Sequence, residues 1–206
     1  MATEVVRVDP VTPDDRALRE AADVLRRGGL VAFPTETFYG LGAAALDAAA
    51  VRRVFDVKGR PRSMPLLVLL DTAAGLPQIV ADVPERARGL IDRHWPGALT
   101  LVFRAAPHLP RELTAGTGTV GVRVPNHLVA RALVRSLGVP VTAPSANPTG
   151  ADPPTTAGGV LAHFRDLLDL VLDGGPTPGG APSTVVDVTV DPPRVVRQGA
   201  ITLDQW

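Results

Sequence analysis

A few short stretches carry nearly all the side chains of this 206-residue chain that could do chemistry. They are Thr35-Glu36-Thr37-Phe38-Tyr39, Lys58-Gly59-Arg60-Pro61-Arg62, Thr119 to Arg123, Ser145-Ala146-Asn147, Ser183 and Arg197. Cationic groups mixed with hydroxyl and amide donors suit a multiply charged anion, and phosphate is the usual one. No Ser-His-Asp arrangement or metal-binding histidine cluster competes with that reading. His94, His108, His127 and His163 lie in separate segments and read as surface or capping residues. Cysteine is absent, which removes thiol nucleophiles, thiolate zinc sites, iron–sulfur clusters and disulfides together.

Lys58 is informative by contrast with its neighbours. The chain has 21 basic residues, and Lys58 is the only lysine among them. A chain so biased toward arginine would use arginine wherever a generic cation sufficed, so a lone lysine points to a place that needs a compact ammonium. Triphosphate oxygens are its expected partner, met from a loop that faces a wet cleft. Formal net charge is +0, so no global field holds a polyanion such as RNA, and any anion must be met locally.

These stretches fall where predicted strands begin or end. Residues 30–33 and 66–70 are apolar runs bounded by Pro34 and Pro65 and read as buried strands. Between them a helix carries Ala48, Val51, Val54 and Phe55 at helical spacing behind Asp47, which is suited to cap its first turn. Residues 4–8 read as an edge or opening strand, followed by a helix to about Arg27 that Thr12 would cap and Gly28-Gly29 would stop. Asp82 and Glu85 are spaced as a capping pair for a helix through Ile91, and Asn126 is placed to cap a helix over residues 127–137. Residues 155–164 read as a helix, and 99–103, 120–124, 139–142, 170–172, 183–187 and 194–197 read as strands. Residues 106–118 and 174–180 are punctuated by proline and glycine and read as loops. Such alternation predicts an α/β fold, a twisted mixed parallel and antiparallel sheet with flanking helices and a ligand cleft at the strand ends. One domain over 1–206 is expected from the length, and a cytoplasmic location from the lack of a signal-peptide or membrane-spanning run.

The motifs P-T-E-T-x-Y-G-L-G, K-G-R-P, W-P-G-x-L-T, V-G-V-R-x-P, S-A-N-x-x-G, S-T-V-V-D and R-x-G occur in this order. In order and spacing the chain resembles the YrdC-like family of L-threonylcarbamoyladenylate synthases from about Arg16 to Ile201. The paired K-x-R and S-x-N motifs are the most distinctive part. The resemblance implies a nucleotidyltransferase that condenses L-threonine, bicarbonate or CO2, and ATP with Mg2+ to threonylcarbamoyl-AMP, releasing pyrophosphate. A partner threonylcarbamoyl transferase complex would then act on adenosine 37 of tRNA. Carried over by motif, the nucleotide site falls on Lys58, Arg60, Thr119, Ser145, Asn147 and Arg197, of which Lys58, Arg60, Ser145 and Asn147 would be catalytic. The threonine site falls on Thr35, Arg123 and Ser183, and no protein metal site is implied.

Two positions depart from the family pattern: Leu69 stands where members often have histidine, and Pro153-Pro154-Thr155 where many read S-P-T. The minimal form without an additional C-terminal domain is expected. The rival readings are a paralogue with lost or altered activity and a binding module for double-stranded RNA or tRNA. Against the latter stand zero net charge and 4% aromatic content. The related domain of hydrogenase-maturation carbamoyltransferases is a further relative, but those proteins carry cysteine zinc motifs.

Overall fold

Helix and strand ends in this chain are set mostly by local chemistry, and they fix where the polar loops emerge. In the computed structural model, which describes residues 2–203, the strands are β1 (Glu4–Arg7), β2 (Val31–Phe33), β3 (Gly40–Gly42), β4 (Leu67–Leu69) and β5 (Leu99–Arg104) in the first half. The second half adds β6 (Thr119–Arg123), β7 (Val141–Thr142), β8 (Leu170–Asp173), β9 (Thr184–Asp187) and β10 (Arg194–Arg197). The helices are α1 (Asp15–Arg26), α2 (Ala48–Lys58), α3 (Glu85–His94), α4 (Arg111–Thr114), α5 (Leu128–Leu137) and α6 (Ala157–Phe164). A 3-10 turn spans Ala73–Gln78. Residues 1 and 204–206 of the expected domain lie outside the described residues.

The strands form two sheets where one was expected. The smaller runs β1-β8-β2-β3 and the larger β10-β9-β5-β6-β4-β7. Both are mixed: β1 and β2 flank β8 in parallel while β3 returns antiparallel to β2, and in the larger sheet β5 is parallel to β9 but antiparallel to β6. Isolated bridges Gly40↔Ser145 and Ala44↔Val141 stitch the two sheets where their edges meet. Strands of two or three residues leave no alternation long enough to reveal such a split in the sequence.

Each sheet is covered by helices whose apolar stripes the sequence encodes. Helix α1 buries Ala17, Leu18, Ala21, Ala22 and Leu25, and α5 buries Val129, Ala130, Leu133 and Leu137. The two stripes pack together over Val31, Phe33, Leu170 and Leu172 of the smaller sheet. On the other side α2 buries Val51, Val54 and Phe55 in a core that includes Leu99, Leu101, Phe103 and Val122. Strand β3 is not among the strands predicted from the sequence, because Gly40-Leu41-Gly42 has poor strand propensity. Its glycines admit the Phe33 ring: a Cβ on Gly42 would lie 2.8 Å from Phe33 Cε1.

Several caps differ from expectation. Asp47 caps α2, accepting the Ala49 and Ala50 N–H groups at 2.8 and 3.2 Å. Asp14, not Thr12, caps α1, accepting the Arg16 N–H at 2.7 Å. Helix α3 starts at Pro84 without a side-chain cap, so Asp82 plays no capping part, and α5 starts at His127, also without one. Asn126 instead donates its backbone N–H to Glu36. Residues 106–118 contain the short helix α4. Lys58 is the last residue of α2, not a loop residue. Among the described residues no helix is long and apolar enough to cross a membrane.

Candidate active site

The polar motifs meet around a cleft of about 490 Å³ between the two sheets, within the range of small-molecule sites. Its floor is apolar, with Leu67 and Leu69 of β4, Val102 of β5 and Gly121 of β6. The loop after β2 supplies Thr35, Thr37 and Phe38, and the segment after β7 supplies Ala143, Pro144 and Ser145. Arg60 and Met64 come from the loop after α2, and Ser183, Val196 and Arg197 from the β9–β10 hairpin. Leu69 thus puts an alkyl side chain, with no proton to exchange, on the floor. None of the histidines lines the cleft.

Arg123 ends β6 and is 5% exposed. Its Nη2 lies 2.6 Å from Glu36 Oε2, yet no N–H is aligned on that oxygen. The pair is Coulombic. Arg123 Nε and Nη2 find no hydrogen-bond acceptor among the described residues, and Glu36 Oε2 finds no donor. Glu36 Oε1 accepts the Asn126 N–H at 3.0 Å, so one carboxylate joins the loop after β2 to the loop after β6. A buried guanidinium whose Nε is without an acceptor and whose Nη2 meets one carboxylate out of line has donor capacity left for a further planar acceptor such as a second carboxylate. Glu36 is a site residue that the motif reading missed; its place between two threonines of the polar loop was the available signal.

Two further guanidiniums share the cleft. Arg60 donates from Nε and Nη2 to the carbonyls of Met64 and Pro65 at 3.2 and 3.0 Å. Arg197 donates from Nε and Nη2 to the Ser183 carbonyl at 3.2 and 2.8 Å, and from Nη2 to Ser183 Oγ at 3.2 Å. Ser183 Oγ also lies 2.9 Å from Thr100 Oγ1. Burial, and then the positive charge of Arg197, lowers the Arg60 pKa. Burial of its head, and then Arg123, lowers that of Arg197, although the residue as a whole is exposed. The cleft lining holds no carboxylate. With Arg123 paired to Glu36, Arg60 and Arg197 leave the cavity with an excess of positive charge that an anion relieves.

The hydroxyls are partly committed. Thr35 Oγ1 donates to the Phe38 carbonyl at 2.7 Å and accepts the Thr37 N–H at 3.2 Å, while Thr119 Oγ1 lies 2.9 Å from Thr117 Oγ1 at the rim. Tyr39, the only tyrosine, is fully buried and donates its hydroxyl to the Gly175 carbonyl at 2.8 Å, tying the Thr35–Gly40 loop to the glycine-rich loop. Burial, reinforced by Asp173, raises its pKa.

Thr35, Arg60, Thr119, Arg123, Ser145, Ser183 and Arg197 therefore line the cleft, and Lys58 and Asn147 do not. Lys58 is 3% exposed, and its ammonium donates to the carbonyls of Ser145 and Asn147. This corrects the expectation of a wet loop cation. Burial, and then Arg60, pulls its pKa down to about 8. Asn147 donates Nδ2 to the carbonyls of Pro148 and Ala151 at 2.9 and 2.7 Å, and its buried Oδ1 has no partner.

Comparison with known proteins shows what the chain is similar to. The model of the Sua5_yciO_yrdC family, described as "Telomere recombination", matches residues 23–199. The chain is 44% identical over 188 residues to the threonylcarbamoyl-AMP synthase of Pyrococcus abyssi, which covers 91% of this chain and 55% of that protein. It is 42% identical over 198 residues to the threonylcarbamoyl-AMP synthase of Bacillus subtilis, with 96% and 57% covered. Among solved structures, P. abyssi Sua5 complexed with L-threonine superposes with a TM-score of 0.92 at 43% identity, over 96% of this chain and 58% of that one. The chain spans little more than half the length of these relatives. With matched residues running through nearly every element that builds the cleft, the chain belongs to the Sua5/YciO/YrdC family.

Proposed function

We propose that this chain is an L-threonylcarbamoyladenylate synthase, forming threonylcarbamoyl-AMP and pyrophosphate from L-threonine, bicarbonate or CO2, and ATP. The observation that carries this reading is the buried Arg123, whose Nε has no acceptor among the described residues and whose Nη2 meets only the unaligned Glu36 carboxylate, on the wall of a cleft that also holds Arg60 and Arg197. One fork suits the carboxylate of an amino acid, and the other two cations suit a phosphate chain. The P. abyssi relative in complex with L-threonine supports threonine as the amino acid.

In this reading Arg123 holds the threonine carboxylate, with Thr35 and Ser183 as hydroxyl neighbours, so that the amino nitrogen faces the nucleotide. That nitrogen takes up CO2 to give a carbamate and loses a proton; a carbamate oxygen then attacks the α-phosphorus, and the bond to pyrophosphate breaks. Arg60 and Arg197 stabilise charge as it moves to the leaving group, and Ser145 and Thr119 offer hydroxyl contacts to the nucleotide. The cleft lining contains no titratable general base, so rate enhancement comes mainly from holding the reactants in line. Mg2+ does not fit a protein-held site: the lining lacks carboxylates, and no cluster of metal-ligating side chains exists among the described residues. It is assigned to the nucleotide's own triphosphate, as part of the substrate. The product would pass to a transferase that modifies adenosine 37 of tRNA.

The test is pyrophosphate release from ATP in the presence and absence of each co-substrate, with mass detection of the adenylate. The reading requires dependence on both threonine and bicarbonate. ATP turnover indifferent to threonine would refute it.

A further inference from the structure

The chain has two methionines and no cysteine, so its sulfur chemistry falls on Met1, outside the described residues, and on Met64. Met64 lines the cleft while 43% exposed, which puts its thioether at the rim, open to solvent. We propose that Met64 is an oxidation site, at which a peroxide converts the thioether to the sulfoxide and so weakens the hold of the cleft on a phosphate chain. The proposal rests on the adenylate-forming reading only in taking a phosphate chain as the partner of the cleft cations.

Met64 sits in a turn that one of those cations closes. Its N–H donates to the Pro61 carbonyl at 3.0 Å, and its carbonyl accepts Arg60 Nε at 3.2 Å, beside Arg60 Nη2 on the Pro65 carbonyl at 3.0 Å. The guanidinium that faces the cleft is therefore carried by the main chain of the residue whose side chain is oxidised. Arg62, the other cation of the turn, is committed elsewhere: it pairs with Asp56 at 2.5 Å and lies over the Phe55 ring. In the oxidation the sulfur takes one oxygen of hydrogen peroxide, the O–O bond breaks, and the second oxygen leaves as water. The sulfur gives up two electrons and the peroxide gains them. A flexible apolar side chain becomes a polar one with a strong acceptor oxygen. Four residues from Arg60 in the same turn, that oxygen offers the guanidinium a neutral acceptor in competition with phosphate. With no thiol in the chain, no more reactive sulfur shields the thioether.

The test treats the wild-type protein with hydrogen peroxide, maps it by peptide mass, and titrates it by calorimetry with inorganic tripolyphosphate, which needs only the cleft cations. The Met64 peptide should gain one oxygen and the Kd for tripolyphosphate should rise about tenfold. Both changes should reverse with the two methionine sulfoxide reductases, one for each sulfoxide epimer. Met64→Leu, close in volume and free of sulfur at that position, keeps Met1 and should shift less than about twofold on the same treatment. Threonine affinity should stay within about twofold, since Arg123 comes from β6 and not from this turn. A Met64 peptide without added oxygen under conditions that oxidise free methionine would overturn the proposal. So would oxidised protein that binds tripolyphosphate as before, an equal loss in Met64→Leu, or untreated protein that does not bind tripolyphosphate at all. If Met64→Leu does not fold, reversal by the reductases decides. Pyrophosphate release indifferent to threonine, with these shifts present, would remove the adenylate-forming reading and leave the oxidation site standing.

Discussion

Arg123 and Lys58 are both buried cations from one set of motifs, and the fold uses them in opposite ways. Arg123 ends a strand on the cleft wall, with Nε unpartnered among the described residues and Nη2 2.6 Å from Glu36 Oε2 but out of line with it. Lys58 ends a helix with two of its three ammonium N–H groups donated to carbonyls behind the wall. Burial and charge are alike in both. What separates them is where their N–H groups are aimed. An unpaired buried donor is costly, so the Arg123 Nε is where a partner from outside the chain would gain most.

The largest effect that would sharpen this contrast is expected at Arg123. Arg123→Ala should weaken threonine binding by about a hundredfold or more, on the order of 3 kcal/mol, with ATP affinity changed less than about threefold. Calorimetry with each ligand separately measures this, and equal losses would break the contrast. Glu36→Gln comes next. The amide can still accept the Asn126 N–H but loses the charge beside Arg123, so KM for threonine should rise about tenfold with kcat retained. An unchanged KM would show that β6 alone orients the fork.

A third effect is read from pH. The Lys58 pKa in the folded chain is about 8 against an ordinary value of 10.5, so across that window the unfolded chain holds a proton that the folded chain has released. The contribution of this group to stability therefore rises with pH through the window and is flat below it. Unfolding curves of wild type minus Lys58→Met should show a slope approaching one proton there; a flat difference would mean the ammonium is not buried. The smallest effect is at Tyr39→Phe, which leaves the Gly175 carbonyl without its donor. About 1 kcal/mol of stability should be lost, a fall in Tm of about 2 to 4 °C, with turnover nearly unchanged.

The same contrast shows what the sequence could and could not reveal. The Asp47 cap is encoded by one residue and the two amides after it, so it was legible, whereas Thr12, Asp82 and Asn126 satisfied the same rule and were passed over. Apolar runs placed most strands, but Gly40–Gly42 becomes a strand through a tertiary cause, the Phe33 ring on its glycines. At the site, spacing identified the segments that meet. It could not reveal that Lys58 turns its ammonium toward main chain, because that depends on carbonyls nearly ninety positions away. Glu36 escaped notice for a similar reason, since its partners Arg123 and Asn126 come from the other sheet's loops.

The pairing of β1 with β8 carries a consequence for how the chain is made. Glu4–Arg7 leaves the ribosome well before its partner Leu170–Asp173, which follows about 165 residues later. At usual rates of translation that is roughly ten to thirty seconds during which the first strand has no mate. The central strand of the smaller sheet, β8, is itself the late one, so β2 also waits for it. Arg197, on β10, arrives later still. The cleft is thus completed only once β10 has been made, and a translation product ending before β8 would expose unmated strand edges to the quality-control machinery of the cell.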